Sequence, residues 1–154
     1  MPTRLRQFLV FQAFLAWQGG FVFYAAVVVP VGTELYGAYL QGTITQQVTN
    51  WLALIGLVWH LLFAWDLLAT RDPSRRRARL RFGFWLLSLL LLVVLALVHR
   101  ELDALLEDDD LDHAAFRRWH IMYLWGVTVQ WLLALAQAWL TLGAWTKSTA
   151  NGAT

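Results

Sequence analysis

Four histidines and a handful of glutamines carry the chemistry of this chain, because most residues around them are apolar. Neutral imidazole accepts protons near physiological pH and is the commonest metal ligand. His60 sits in the run GLVWHLLF, six residues before Asp66. His99, His113 and His120 flank the acidic stretch Glu101–Asp112. Imidazoles beside carboxylates suit divalent transition metals, so His99, His113 and His120 are the metal-ligand candidates. DDDLD lacks the glycine and the closing glutamate of an EF-hand loop, and the other reading is a solvated acidic connection.

Spacing adds a second group of candidates. His120, Tyr123, Val127, Gln130, Ala134 and Gln137 recur at intervals of three and four, so they share one helix face. Thr49, Ala53, Gly56, His60 and Ala64 form a face of small residues around one histidine. Counting the helical rise of about 1.5 Å per residue places His60, Gln18, Gln130 and Gln137 at similar depth. With His120, His99 and Tyr123, these residues are the expected ligand-binding set, and His60 and His120 are expected to face the interior. The competing reading is interhelical hydrogen bonding, worth about 0.6–2 kcal/mol a pair. Asp66 is expected to pair with an arginine of the following loop, RDPSRRRARLR.

Four elements must hold these positions. The apolar runs Phe8–Pro30, Val48–Ala69, Leu80–His99 and Trp119–Trp145 each approach or exceed the roughly 20 residues needed to cross a hydrocarbon core. None alternates with period two, which excludes barrel strands. The expected fold is an all-α integral membrane four-helix bundle, up-down-up-down, forming a single domain over residues 1–147. A flexible cytoplasmic tail is expected over 148–154. Pro30 is expected to close the first span, with a packed loop around Gly32, Gly37 and Gly42 after it. Asp72-Pro73-Ser74 marks a turn or helix start, and the arginine run after it extends the third span. The first run is too long for a cleaved leader and is read as a retained span.

Composition agrees with a membrane location. Apolar residues make up 59% and charged residues 14%, with no cysteine. A soluble domain averages about 25% charged. A net charge of +2 gives no reason to invoke nucleic acid. Arg4, Arg6, the arginines of RDPSRRRARLR and Lys147 lie on one side of the expected topology, which puts both termini in the cytoplasm by the positive-inside rule. The location implied is the inner (plasma) membrane, multi-pass. The arginine loop is also placed to meet anionic headgroups. Of the ten tryptophans, Trp51, Trp85, Trp119 and Trp145 fall near interfaces. Trp17, Trp59, Trp125, Trp131 and Trp139 fall deeper, as lipid-facing or interhelical bulk or as an aromatic wall around a flat cofactor. No nucleophile elbow, zinc-protease motif, paired-cysteine motif or phosphate loop is present, and no lysine lies inside a span.

Two segments carry a family resemblance. AWQGGFVFYAAVVVP, ending at Pro30, and FRRWHIMYLW, from Phe116 to Trp125, resemble the first and last spans of small bacterial four-span proteins of the transmembrane-protein-205-like type. More distantly the chain is similar to copper-resistance-D-like membrane domains and to the haem-binding four-span oxidase of haem synthesis. The resemblance implies a helical bundle and no established activity. If haem were bound, His60 or His120 would match the family's membrane histidine.

Three functions follow as expectations. The first is binding or transport of a small ligand, a metal ion or haem b, along the inward polar stripe. The second is a structural or assembly subunit of a membrane complex. The third is a haem-containing oxidoreductase, although no catalytic constellation is visible and an enzyme is the less favoured class. Expected partners are the lipid bilayer and a second copy or a larger membrane complex. Ala16 and Gly20, and Ala134 and Ala138, are small-residue pairs that permit such close helix approach.

Overall fold

A computed structural model describes residues 3–107 and 113–151, and every regular element among them is helical. α1 (Thr3–Phe23) runs through a π-helical turn, Tyr24–Val28, into α2 (Val29–Ala69). α3 (Arg75–Glu107) and α4 (His113–Asn151) follow. Among the described residues four segments are long and apolar enough to cross a membrane: Thr3–Gly37, Tyr39–Ala69, Arg75–Leu105 and Ala114–Thr146. Large apolar side chains are exposed along all of them, among them Phe23, Leu61, Leu90 and Trp139. That surface is costly in water and well matched to lipid tails. The protein is thus read as a multi-pass membrane protein.

The boundary between the first two spans differs from the expected loop. The helix does not stop at Pro30. Pro30 lacks the N–H that would bond the carbonyl four residues earlier, and its ring crowds that turn. The wider π-helical turn directly before it absorbs this mismatch. The reversal falls instead at Gly37, with φ 80° and ψ 163°, a region essentially reserved for glycine. Residues expected to form a packed loop are therefore helical on both sides of one glycine.

The chain divides into two compact units, Met1–Phe63 and Ala64–Thr154. In the first, the two halves of a helical hairpin meet through Trp17, Trp59 and Phe63 at one level and Tyr24, Gln41 and Thr45 at another. A Cβ on Gly56 would come within 2.8 Å of the Trp17 indole nitrogen, so the absent side chain lets the helices close. Tyr24 donates to the Thr45 hydroxyl at 2.9 Å, and Gln41 donates to the Tyr24 hydroxyl at 3.1 Å.

In the second unit α3 packs along α4. A Cβ on Gly126 would meet Leu95 at 2.7 Å, which marks their close approach. α3 starts where the sequence places it. Ser74 accepts from the Arg77 amide as an N-cap, and Asp72 accepts from the Ser74 amide at 2.8 Å. Arg77 closes this turn with a two-bond ion pair to Asp72, at 2.7 and 2.6 Å. Burial works against the charged Asp72 carboxylate. Its hydrogen bonds from Arg77 and the Ser74 amide, and the nearby charges of Arg77 and Arg81, outweigh that and hold it below its ordinary range.

Candidate functional site

In the first unit the chemistry gathers around His60. Its position follows from α2, where Gly56, Trp59, His60 and Phe63 recur at helical spacing and all lie on the buried face. His60 is 0% exposed. Its Nδ1 lies 2.7 Å from the Gly56 carbonyl oxygen, which can only accept, so Nδ1 carries the proton. In the neutral ring Nε2 is then the acceptor nitrogen. Two indoles flank the imidazole: Trp59 at 4.8 Å and Trp17 at 5.4 Å between ring centres, both edge-on. Trp17 and Trp59 lie 5.0 Å apart, and Phe14 sits 6.0 Å from Trp59.

Among the described residues of this unit, two side-chain polar atoms are buried without a hydrogen-bond partner: the Trp59 Nε1 donor and the Gln18 Oε1 acceptor. Gln18 adjoins Trp17, and both are buried on α1. An unsatisfied buried donor or acceptor costs about 1–3 kcal/mol. The two are of opposite kind, so one small molecule offering an acceptor and a donor has the chemistry to satisfy them.

In the second unit the polar residues are committed to holding helices. Asp66 is 0% exposed and Arg81 1%. Arg81 Nη2 donates to Asp66 Oδ2 at 2.7 Å and its Nε donates to the Thr141 hydroxyl at 3.2 Å. Thr70 and the Trp145 indole also donate to Asp66, at 3.0 and 3.1 Å. The expected pairing of Asp66 with an arginine is present, and the arginine lies inside α3. Asp66, Arg81, Thr70, Thr141 and Trp145 form one network, of which the sequence analysis named only the pairing of Asp66 with an arginine. The available signal was an aspartate followed by an arginine in the next span.

Gln130 and Gln137 are buried as expected, and each donates to a backbone carbonyl of α3: Ser88 at 3.4 Å and Phe84 at 2.7 Å. Gln137 Oε1 is buried without a partner. Farther along, the stripe departs from expectation. Tyr123 is half-buried, its ring centre 5.7 Å from His99. His120 is exposed, stacked on Phe116 of its own helix at 5.8 Å. The α4 side chain beside His99 is therefore Tyr123, and His120, expected to face the interior, does not. The cause is pitch: a seven-residue repeat drifts about 20° per heptad on a straight helix. Two heptads above Ala134, His120 has rotated off the buried arc. His99 Nε2 lies 3.7 Å from Asp103.

No group of three or more His, Asp or Glu placed to hold a metal exists among the described residues. The His113 side chain and the DDDLD run lie outside them. Comparison with protein-family models, curated proteins and solved structures found no match to the chain.

Proposed function

We propose that the chain is a non-enzymatic membrane protein that binds a small uncharged molecule at the His60 cluster of its first unit. One observation carries this reading: a buried indole donor and a buried amide acceptor, on Trp59 and Gln18, have no partner in the same helical hairpin. A membrane-soluble molecule with a carbonyl or ether oxygen and a hydroxyl or N–H group answers both. The aromatic rings of Trp17, Trp59 and Phe14 favour a flat body. Haem or a metal ion, expected from the histidines, is a different ligand class and would use His60 Nε2 in place of the Trp59 and Gln18 atoms.

The test is native mass spectrometry on protein extracted from its membrane, with an absorption spectrum alongside. The expected result is a bound species of defined mass that Trp59→Phe and Gln18→Leu each release. If no species is found and Gln18→Leu raises the melting temperature, the unpaired atoms are a plain structural cost and the binding reading fails. A Soret band lost in His60→Ala would assign the site to haem and replace the uncharged ligand.

A second reading is favoured by the other unit. Gln130, Gln137 and the Asp66–Arg81 network all tie helices together, which is what a structural or assembly subunit requires. We further propose inner-membrane placement, both termini cytoplasmic, and four alternating crossings. Support comes from the absence of Lys and Arg between Arg6 and Arg71 and from the arginines beginning at Arg71.

A further inference from the structure

The arginines at the start of α3 are sorted by helix face. At about 100° per residue, Arg77 and Arg81 lie at about 200° and 240° from Arg75, whereas Arg76 and Arg79 lie at about 100° and 40°. Arg77 and Arg81 are spent on Asp72 and Asp66. Arg75, Arg76 and Arg79 are exposed and make no ion pair among the described residues. With both nearby carboxylates already occupied, these three cations are uncompensated.

The same angular count places the rest of α3. Its buried residues Ser88, Leu92, Leu95 and Leu102 fall between about 180° and 260°, on the arc of Arg77 and Arg81. Its exposed large apolar residues, from Phe82 at about −20° through Leu86, Val93 and Val94 to Leu80 at about 140°, share the arc of Arg75, Arg76 and Arg79. The unpaired guanidiniums therefore cap the stripe on which lipid tails lie. A guanidinium suits a phosphate by charge and by paired donors.

We propose that Arg75, Arg76 and Arg79 form a binding site for the headgroup of an anionic phospholipid whose acyl chains run along the Phe82–Leu86–Val93 face of α3. The site holds one boundary lipid in place at the end of the third span. It is independent of the His60 proposal and of the direction in which the chain crosses the membrane.

The chain has no cysteine, and a Cβ at Gly83 meets nothing within 4 Å, so Gly83→Cys carries a fluorophore beside the site. The full chain is reconstituted in phosphatidylcholine bilayers, and acyl-spin-labelled phosphatidylglycerol or phosphatidylcholine is titrated in as quencher. Phosphatidylglycerol is expected to reach half-quenching at a fraction at least about fivefold lower, the factor that one basic residue near the surface supplies. R75Q/R76Q/R79Q brings the two lipids together, and the three Arg→Lys replacements keep most of the preference. Equal quenching by both lipids in the parent, or an unchanged preference in the Gln variant, overturns the proposal. So does loss of the preference on adding millimolar inorganic phosphate, since the site would then take a free anion. If the triple Gln variant does not insert, the single variants R75Q, R76Q and R79Q must each lower the preference, and failure of all three counts against it.

Discussion

Arg81 and Asp66 are both withdrawn from their surroundings, so each is tolerable only because the other is there. Removing one partner leaves a buried charge uncompensated, at a typical cost of about 3–5 kcal/mol. Arg81→Met is therefore expected to lose most of the folded population in an SDS titration. Asp66→Leu with Arg81→Met is expected to recover much of it, because the pair of charges leaves together. If the single variant unfolds at the parent's SDS fraction, the ion pair contributes nothing. Gln137→Leu is a milder test of the same unit, expected at about 0.6–2 kcal/mol, since only one interhelical donor is lost. The residue types at these positions were legible. Asp66 in an apolar run demanded a cation, and Gln130 and Gln137 shared a face with Ala134. What the sequence could not supply was which arginine answers. Arg77 and Arg81 share one face of α3 and differ by about one turn along it, and where α3 begins, at Arg75, decides which of them stands level with Asp66.

At the scale of elements, the informative places are the two reversals. Gly37 holds a backbone conformation that costs other residues about 1–3 kcal/mol. Gly37→Ala has open space for its methyl, so any loss of thermal stability reads the backbone alone. A lowering of several degrees is expected, and an unchanged melting temperature would show that the hairpin turns elsewhere. This turn was not legible because Pro30 and three glycines all qualified as breakers, and the π-helical turn that carries the helix past Pro30 has no sequence signature. The α2–α3 turn was legible, since Asp-Pro-Ser is turn and cap chemistry. Its strength depends on pH in a stated direction. A carboxyl held below its ordinary value of 3.8 contributes stability that is fully present above that value. That stability is lost as the pH falls through the lowered value. The melting-temperature gap between parent and Asp72→Asn is thus expected to be constant above pH 3.8 and to close only in stronger acid. A gap that closes between neutral pH and 5 would mean that Asp72 is not held by Arg77.

For the whole molecule the open matter is how the spans are threaded. Tyr39–Ala69 has 31 residues, about 45 Å of helix, enough for a core about 30 Å thick with a turn to spare at each side. Run length and composition made the four helices long and apolar enough to cross a membrane readable, because lipid leaves few other ways to satisfy a backbone. Which way a histidine faces was less readable: the drift that carries His120 out of the buried arc accumulates over turns and depends on helix pitch. Orientation rests on charge alone. Nine of the twelve Lys and Arg are Arg4 and Arg6 near the start of α1, the six from Arg71 to Arg81 and Lys147 near the end of α4; Arg100, Arg117 and Arg118 are the others. The acidic residues near those three weigh little, because the rule counts cations. A cysteine at Tyr39, which is 86% exposed, and one at Arg71 then stand at opposite ends of one span. With a membrane-impermeant maleimide, Tyr39→Cys is expected to label from outside intact cells and Arg71→Cys only after the inner face is opened. Labelling of both from one side would mean that Tyr39–Ala69 does not cross. A reversed pattern would keep the crossing and invert the chain, and the count of cations would then have failed as a guide to its orientation.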